Sequence, residues 1–350
     1  MQTRISTLHL VALFALGFAS GCGPGFDPAS EVKTLRVFGV QKDVPYANPG
    51  QDVTLNLLWQ DAKPVQDASA GGRPVQVAWV DCTNPANDLY AGCFSADRLT
   101  MSTDTGSTHH VTIPNDIIRT HAPATPGNPS YGLMYSFFAV CAGTLSFEAP
   151  KDGAGLPVFC KDGEKYLGPD DFVAGYTALY VFEREEVQNQ NPLVTGLTLE
   201  QTEFASQAND PASPACVGTE CAANATAPSI DCALPENESR CFPACADDGG
   251  EKCPDIHIKP LVDPSSAERD DVSFLYYGRN FKEQMWVNYY ASGGKFVSDT
   301  RLLNDAQRGW NQDYGAKFRA PKTPGTVTLW AVVHDNRGGV AWTSINVGIY

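Results

Sequence analysis

Three observations predict an all-β protein built as two antiparallel β-sandwiches in tandem, the second carrying a disulfide-rich loop insertion. Apolar residues recur at every second position in one stretch after another of the 350-residue chain, the period of a half-buried strand. Glycine (31) and proline (25) are abundant, and charged residues make up only 19%, which favours short strands joined by turns over long helices. The 11 cysteines belong to a chain crosslinked outside the reducing cytoplasm.

Taken in order, residues 1–21 are a leader. Arg4 is its only charge, residues 8–18 are apolar apart from His9, and small residues close it. These are the parts of a secretory signal peptide. The segment is shorter than the roughly 20 apolar residues that span a bilayer. Ala19-Ser20-Gly21-Cys22 resembles the bacterial lipobox, departing from it at Ala19, where that motif has leucine. The resemblance implies cleavage before Cys22 and acylation of its sulfur. Two or three acyl chains there make a stable anchor, where one is marginal. Gly23, rather than an aspartate, follows the cysteine, so the resemblance points to the outer membrane or cell surface. Residues 22–30 form a Gly/Pro tether reaching about 25–30 Å at most.

The first domain is assigned to residues 31–187. Residues 35–40 make a first strand. Pro49-Gly50 is a turn signal, after which Val53, Leu55 and Leu57 alternate with polar neighbours up to Trp59. Val75, Val77 and Trp79 form a third set, Val111 and Ile113 a fourth. Residues 131–141 (YGLMYSFFAVC) are a long apolar strand of central type, and residues 177–182 (TALYVF) close the domain. Six or seven strands with long loops give a sandwich. Residues 188–192 are the linker, within a polar stretch that loses the alternation.

The second domain, residues 193–350, starts on a strand at 193–199. Residues 206–255 interrupt it, poor in apolar side chains and rich in Cys, Pro, Ala and Asp; crosslinks must hold such a segment. Strands are expected again at 256–258, 272–277 and 285–290. Residues 326–333 and 340–347 flank the turn 334–339 as a hairpin, with Val327, Leu329, Ala331 and Val333 on one face.

With Cys22 set aside, ten cysteines remain for pairing. Cys82, Cys93, Cys141 and Cys160 fall in the first domain, with Cys93 placed to close a loop on Cys82. Cys216, Cys221, Cys232, Cys241, Cys245 and Cys253 fall in the insertion. Each group is even, so each can close within its own module; four cysteines allow three pairings and six allow fifteen. The insertion has no C-x-x-C pair and only His257 nearby, so disulfides are favoured over a metal site. No metal or cofactor is expected.

The group GPDDFVAGYT (168–177), the linker NQNP (189–192) and the hairpin PGTVTLWAVVHDNRGGVAW (324–342) are similar to those of uncharacterised myxobacterial lipoproteins with immunoglobulin-like domains. That resemblance implies immunoglobulin-like sandwiches and brings no activity with it. An antibody-type core is not expected, since Ala139 stands two residues before Cys141 where such a core places tyrosine.

The remaining signals concern function. A formal charge of −15 offers no basic field for nucleic acid. His109, His110 and His121 read as solvated loop residues, without an H-E-x-x-H pattern. Asp170-Asp171, Asp247-Asp248, Asp270-Asp271 and Asp335-Asn336 lie at turns, where structural calcium is the alternative to turn capping. No nucleophile elbow and no P-loop occurs. Tyr276, Tyr277, Trp286, Tyr289, Tyr290, Trp310, Tyr314, Trp330 and Trp342 crowd the second domain. Neighbouring rings such as Tyr289-Tyr290 must point to opposite sheet faces.

The expectation is a membrane-anchored, non-enzymatic scaffold or binding module of the bacterial envelope, its partner an envelope protein or glycan. The alternative is a carbohydrate- or peptide-binding adhesin using exposed aromatics of the second domain; a hydrolase with an unrecognised site is a further one.

Overall fold

The computed structural model describes residues 29–63, 74–94, 98–121, 130–148, 157–183, 187–205 and 229–350. The leader, Cys22, Cys216 and Cys221 lie outside the described residues, as does 206–228 of the insertion. The fold is all-β, built from several antiparallel sheets and crosslinked by disulfides.

Residues 35–181 supply β1 (Leu35–Lys42), β2 (Tyr46–Ala47), β3 (Asp52–Asp61), β4 (Gln76–Thr83), β5 (Leu99–Thr105) and β6 (Thr108–Thr112). They continue with β7 (Gly132–Cys141), β8 (Thr144–Phe147), β9 (Val158–Asp162), β10 (Lys165–Tyr166) and β11 (Phe172–Val181). One sheet runs β1-β3-β6, a second β2-β11-β7-β4-β5, and a small third β10-β9-β8. The first two bury a shared core that includes Leu35, Leu55, Leu57, Trp79, Val111, Phe138, Val140 and Leu179. These are the alternating positions of the sequence. Central β7 is buried along its whole length, because β4 and β11 pair with its two edges and both its faces are covered.

The second set is β12 (Val194–Leu199), β13 (Thr202–Ala205), β14 (Cys241–Phe242), β15 (Ile256–Val262), β16 (Met285–Ala291) and β17 (Lys295–Phe296). It ends with β18 (Thr300–Asp305), β19 (Gly309–Trp310), β20 (Ala316–Arg319), β21 (Gly325–Asp335) and β22 (Val340–Ile349). These form the sheets β13-β12-β15-β20-β17 and β14-β22-β21-β16-β18-β19. Val327, Leu329, Ala331 and Val333 of β21 all face the core between them, with Tyr289 and Phe318. The hairpin β21–β22 pairs as expected, Val333 opposite Ala341 and Val327 opposite Val347.

Residues 272–277 are not a strand. Asp271–Tyr277 form a helix, α1, whose preceding Asp270 accepts from Ser273 N and whose following Gly278 takes the left-handed conformation at φ 63°. VSFLYY carries no strict alternation, and a cap at each end decides for the helix.

Disulfides join Cys82 to Cys93, Cys141 to Cys160, Cys232 to Cys241 and Cys245 to Cys253. The last two fasten the described part of the insertion. Cys241–Phe242 lies parallel against the end of β22, Cys241 opposite Gly348.

Outward-facing residues of the two sets meet. Phe38 stacks on Tyr290, with ring centroids 4.5 Å apart, and lies 5.2 Å from Trp330. With Val32, Leu58, Val332, Val340 and Trp342 they make a separate apolar cluster. Gly39 fits here because a Cβ at that position would stand 3.2 Å from Val340 Cγ1. The aromatics of residues 286–342 are therefore mostly covered. Tyr289 is in the core with its hydroxyl donating to Tyr314 O at 2.7 Å. Tyr314, Trp330 and Trp342 are buried and Tyr290, Trp286 and Trp310 half-buried. Tyr277 is exposed. The adjacent pair Tyr289-Tyr290 does point to opposite faces, but the second face meets another element rather than solvent.

Candidate functional site

Three polar or aromatic constellations stand out. The first is His109, which is buried in β6 rather than solvated. Its Nδ1 lies 2.9 Å from Asp104 Oδ2 and its Nε2 3.0 Å from Asp81 Oδ2. Ser136 Oγ donates to Asp81 at 2.6 Å, and His110 N donates to Asp104 at 2.7 Å. Trp79 stacks on the ring at 4.9 Å. Burial pushes the imidazole down, but the hydrogen bonds and charges of Asp81 and Asp104 outweigh it, and the net shift is upward. Asp104 is held low, first by the His110 amide and then by His109. While protonated, with a carboxylate at each nitrogen, the ring has no lone pair to offer Ser102, 3.3 Å away, as a general base. The group ties β6 to the facing strands β4 and β5. His110 is exposed.

The second is a tyrosine face on the outer side of β11 and β7. Side chains alternate along β11, so Tyr176 and Tyr180 share that face. Residues 84–94 fold over it, pinned by the Cys82–Cys93 disulfide. The backbone there is unusual: Asn84, Asn87 and Asp88 have φ of 47°, 58° and 58°, a conformation that costs non-glycine residues and needs outside support. Asn84 provides part of it, donating to Ile117 O at 2.6 Å and accepting from Leu133 N at 3.1 Å. Asp88 is thereby set beneath the rings. Its carboxylate accepts from Tyr131 OH and from His121 Nε2, both at 2.7 Å. Its carbonyl accepts from Tyr135 OH at 3.1 Å. His121 is thus a buried partner of Asp88, not a solvated residue. Burial pushes the Tyr135 hydroxyl up to about 12. Burial and then the Asp88 bond also push Tyr131 upward. Tyr90 stacks on Tyr176 at 4.8 Å. Tyr90, Tyr176 and Tyr180 remain 43%, 47% and 36% exposed.

The third lies where the two strand sets meet. Arg337, at the tip of the β21–β22 hairpin, is buried; its Nε donates to Glu283 at 2.6 Å, its Nη1 to Gln188 O at 2.9 Å and its Nη2 to Glu268 at 3.1 Å. Asp335 accepts from the Arg337 and Gly339 amides at 2.7 and 2.8 Å. Lys42 donates to Ala178 O at 2.9 Å. Burial pushes its amine down to about 8, against the pull of Asp335. Burial, reinforced by Asp335, pushes Glu283 up to about 7 despite Arg337. The segment 187–192 lies across this cluster: Asn191 donates to Lys42 O at 2.6 Å and accepts from Val340 N at 3.0 Å. Beside it is a groove of about 430 Å³ whose lining includes Tyr46, Asn48, Gln51, Asn189 and Gln190. Tyr46 packs against Phe182 at 5.1 Å and Tyr180 at 6.1 Å, so the groove continues the tyrosine face. Among the described residues no serine, threonine, cysteine, histidine or lysine lines it.

The turn aspartates have local duties. Asp171 pairs with Lys63 at 2.6 Å. Asp248 accepts from Lys322 N and Asp247 from Lys252 N. Asp270 caps α1, and Asp271 pairs with Arg269. Among the described residues no three His, Cys, Asp or Glu side chains converge as metal ligands. Asp81, Asp88 and Tyr90 stand in no motif of the sequence, and Arg337 is one residue of the turn 334–339. The one available signal was Tyr176 and Tyr180, an even number of residues apart in a strand that closes on buried Leu179 and Val181.

No protein-family model matches the chain, and no curated protein matches it. Among solved structures it is similar to dimeric latent PorU from Porphyromonas gingivalis, with 9% identity and a TM-score of 0.19, covering 91% of this chain and 24% of that one. It is also similar to a mutant alpha-2-macroglobulin of Salmonella, with 8% identity and a TM-score of 0.21, covering 93% of this chain and 17% of that one.

Proposed function

We propose that the chain is a bacterial cell-envelope lipoprotein: residues 1–21 direct export, acyl chains on Cys22 hold it at the outer membrane or cell surface, and two immunoglobulin-like sandwiches in tandem serve as a non-enzymatic binding module. The four disulfides support an oxidising compartment. The observation that carries the binding role is the tyrosine face, where a strained, disulfide-pinned loop holds Tyr90 on Tyr176 with both rings open to solvent. Local strain kept in place by crosslinks and side-chain hydrogen bonds is a mark of functional loops. The surface intended for an adhesin thus moves from the second strand set, whose rings are largely covered, to the first.

Two measurements test this. Radiolabelled palmitate enters the wild-type protein and not Cys22→Ala, which is released from the membrane fraction. In pull-downs from native envelopes, Tyr176→Ala with Tyr180→Ala loses the partners that wild type retains. Equal labelling of the two Cys22 forms would remove the anchor, and unchanged pull-downs would remove the binding face.

A further inference from the structure

We infer that the groove beside residues 187–191 is a subsite for a neutral, hydroxyl-rich glycan chain that continues over Tyr46 onto the tyrosine face. This rests on the proposed binding role of that face and names its ligand class. The lining chemistry is the first argument. Asn48, Gln51, Asn189 and Gln190 bring neutral amides to one groove. Each amide offers donors and an acceptor, which matches a hydroxyl, itself donor and acceptor. Asn48 and Gln190 are exposed and make no side-chain hydrogen bond among the described residues. Asn189 is only 5% exposed, and its Oδ1 has no hydrogen-bond partner. That atom is closed to solvent, in an amide turned toward buried Asp335, so recognition falls to the open amides of Asn48 and Gln190.

The aromatic surface is the second argument. From Tyr46 the rings pass to Tyr180 at 6.1 Å, and Tyr180 to Tyr131 at 6.1 Å. Tyr176 follows on the same strand face, about 13 Å from Tyr180 by strand geometry. A ligand with an apolar flat side and a polar edge meets rings below it and phenol hydroxyls beside them. Charge selects among sugars: Asp43 lines the groove, and the chain carries −15 overall, so an anionic polysaccharide meets repulsion. A proline-rich peptide also suits aromatic grooves, but its backbone presents carbonyl acceptors without N–H donors, which leaves the amide oxygens of Asn48 and Gln190 without a donor.

The test uses the full chain in detergent and native electrophoresis through gels containing dextran, laminarin, galactomannan or xyloglucan, with alginate as the anionic control and decaproline titrated by calorimetry. The expected result is retardation by at least one neutral polysaccharide and by neither control. The double variant Asn48→Ala with Gln190→Ala changes exposed side chains only and is expected to weaken that binding about fivefold or more; Tyr180→Ala weakens it as well. Retardation that depends on Tyr180 but not on Asn48 and Gln190 overturns the groove while the face stands. Tyr180-dependent binding of decaproline or alginate, with none of a neutral glycan, overturns the ligand class while the face stands. No retardation by any neutral polysaccharide, with envelope pull-downs unaffected by Tyr176→Ala and Tyr180→Ala, overturns both.

Discussion

At the scale of single residues, buried His109 and half-buried His334 respond to acid in opposite ways. His109 has its pKa raised above the ordinary 6.5, because Asp81 and Asp104 outweigh burial. The folded protein therefore keeps that proton when the unfolded chain releases it. The clamp's contribution is complete below about pH 6.5 and is lost as pH rises through the folded pKa. His334 lies under Trp286, stacked at 5.3 Å, and burial pushes it down to about 4. Between about pH 6.5 and 4 the unfolded chain takes the proton first, so acidification costs stability, up to about 3 kcal/mol. Thermal midpoints across pH 4 to 9 should separate them: His334→Gln flattens the acid limb, and His109→Gln flattens the decline above neutrality. An acid limb as steep in His334→Gln as in wild type would show that another group governs it. None of this could be read from sequence. His109 and Asp81 are 28 positions apart, and only the facing of β6 on β4 brings them together.

At the scale of elements, loop 84–94 owes its shape to one crosslink and a few hydrogen bonds. Replacing Cys82 and Cys93 with serine frees an 11-residue span, and the chain-entropy model puts the loss at about 3 kcal/mol. Urea unfolding measures it, and the stack of Tyr90 on Tyr176 should loosen as the loop relaxes. Asp270→Ala removes the cap of α1 and should cost about 1 kcal/mol with little change in the slope of the urea transition. The strands themselves were largely legible. Val327, Leu329, Ala331 and Val333 alternate because one face is buried, and their spacing states it. VSFLYY is apolar on consecutive positions, so its helical state rested on Asp270 and Gly278, two residues outside the run. The closeness of Cys82 to Cys93 was likewise visible, as a strand end followed by a turn-rich loop. The tyrosine face was not, since ring exposure depends on what packs above a strand.

At the scale of the molecule, the meeting of the two strand sets explains why so many rings looked free. Trp330, Trp342 and Tyr290 stand on the far face of β21, β22 and β16, and their cover comes from Phe38, about 250 to 300 positions earlier; nothing local in sequence records such a pairing. Phe38→Ala should cost about 3–5 kcal/mol. Arg337→Met leaves Glu283 buried without its cation, with a loss of about 3–5 kcal/mol. Calorimetry should show one transition for wild type and two for either variant, as the sets cease to support each other; a wild type with two resolved transitions would contradict this coupling. The same meeting has a mechanical outcome at the start of the described chain. Val32 N donates to Ala291 O, and Ala291 N to Ser30 O, each at 2.9 Å. Glu31 adds an ion pair with Lys295. Residues 30–32 are therefore fastened to β16 before the chain enters β1. If residue 22 carries the proposed lipid, a tug through it would load β16 of the second strand set before it reached β1.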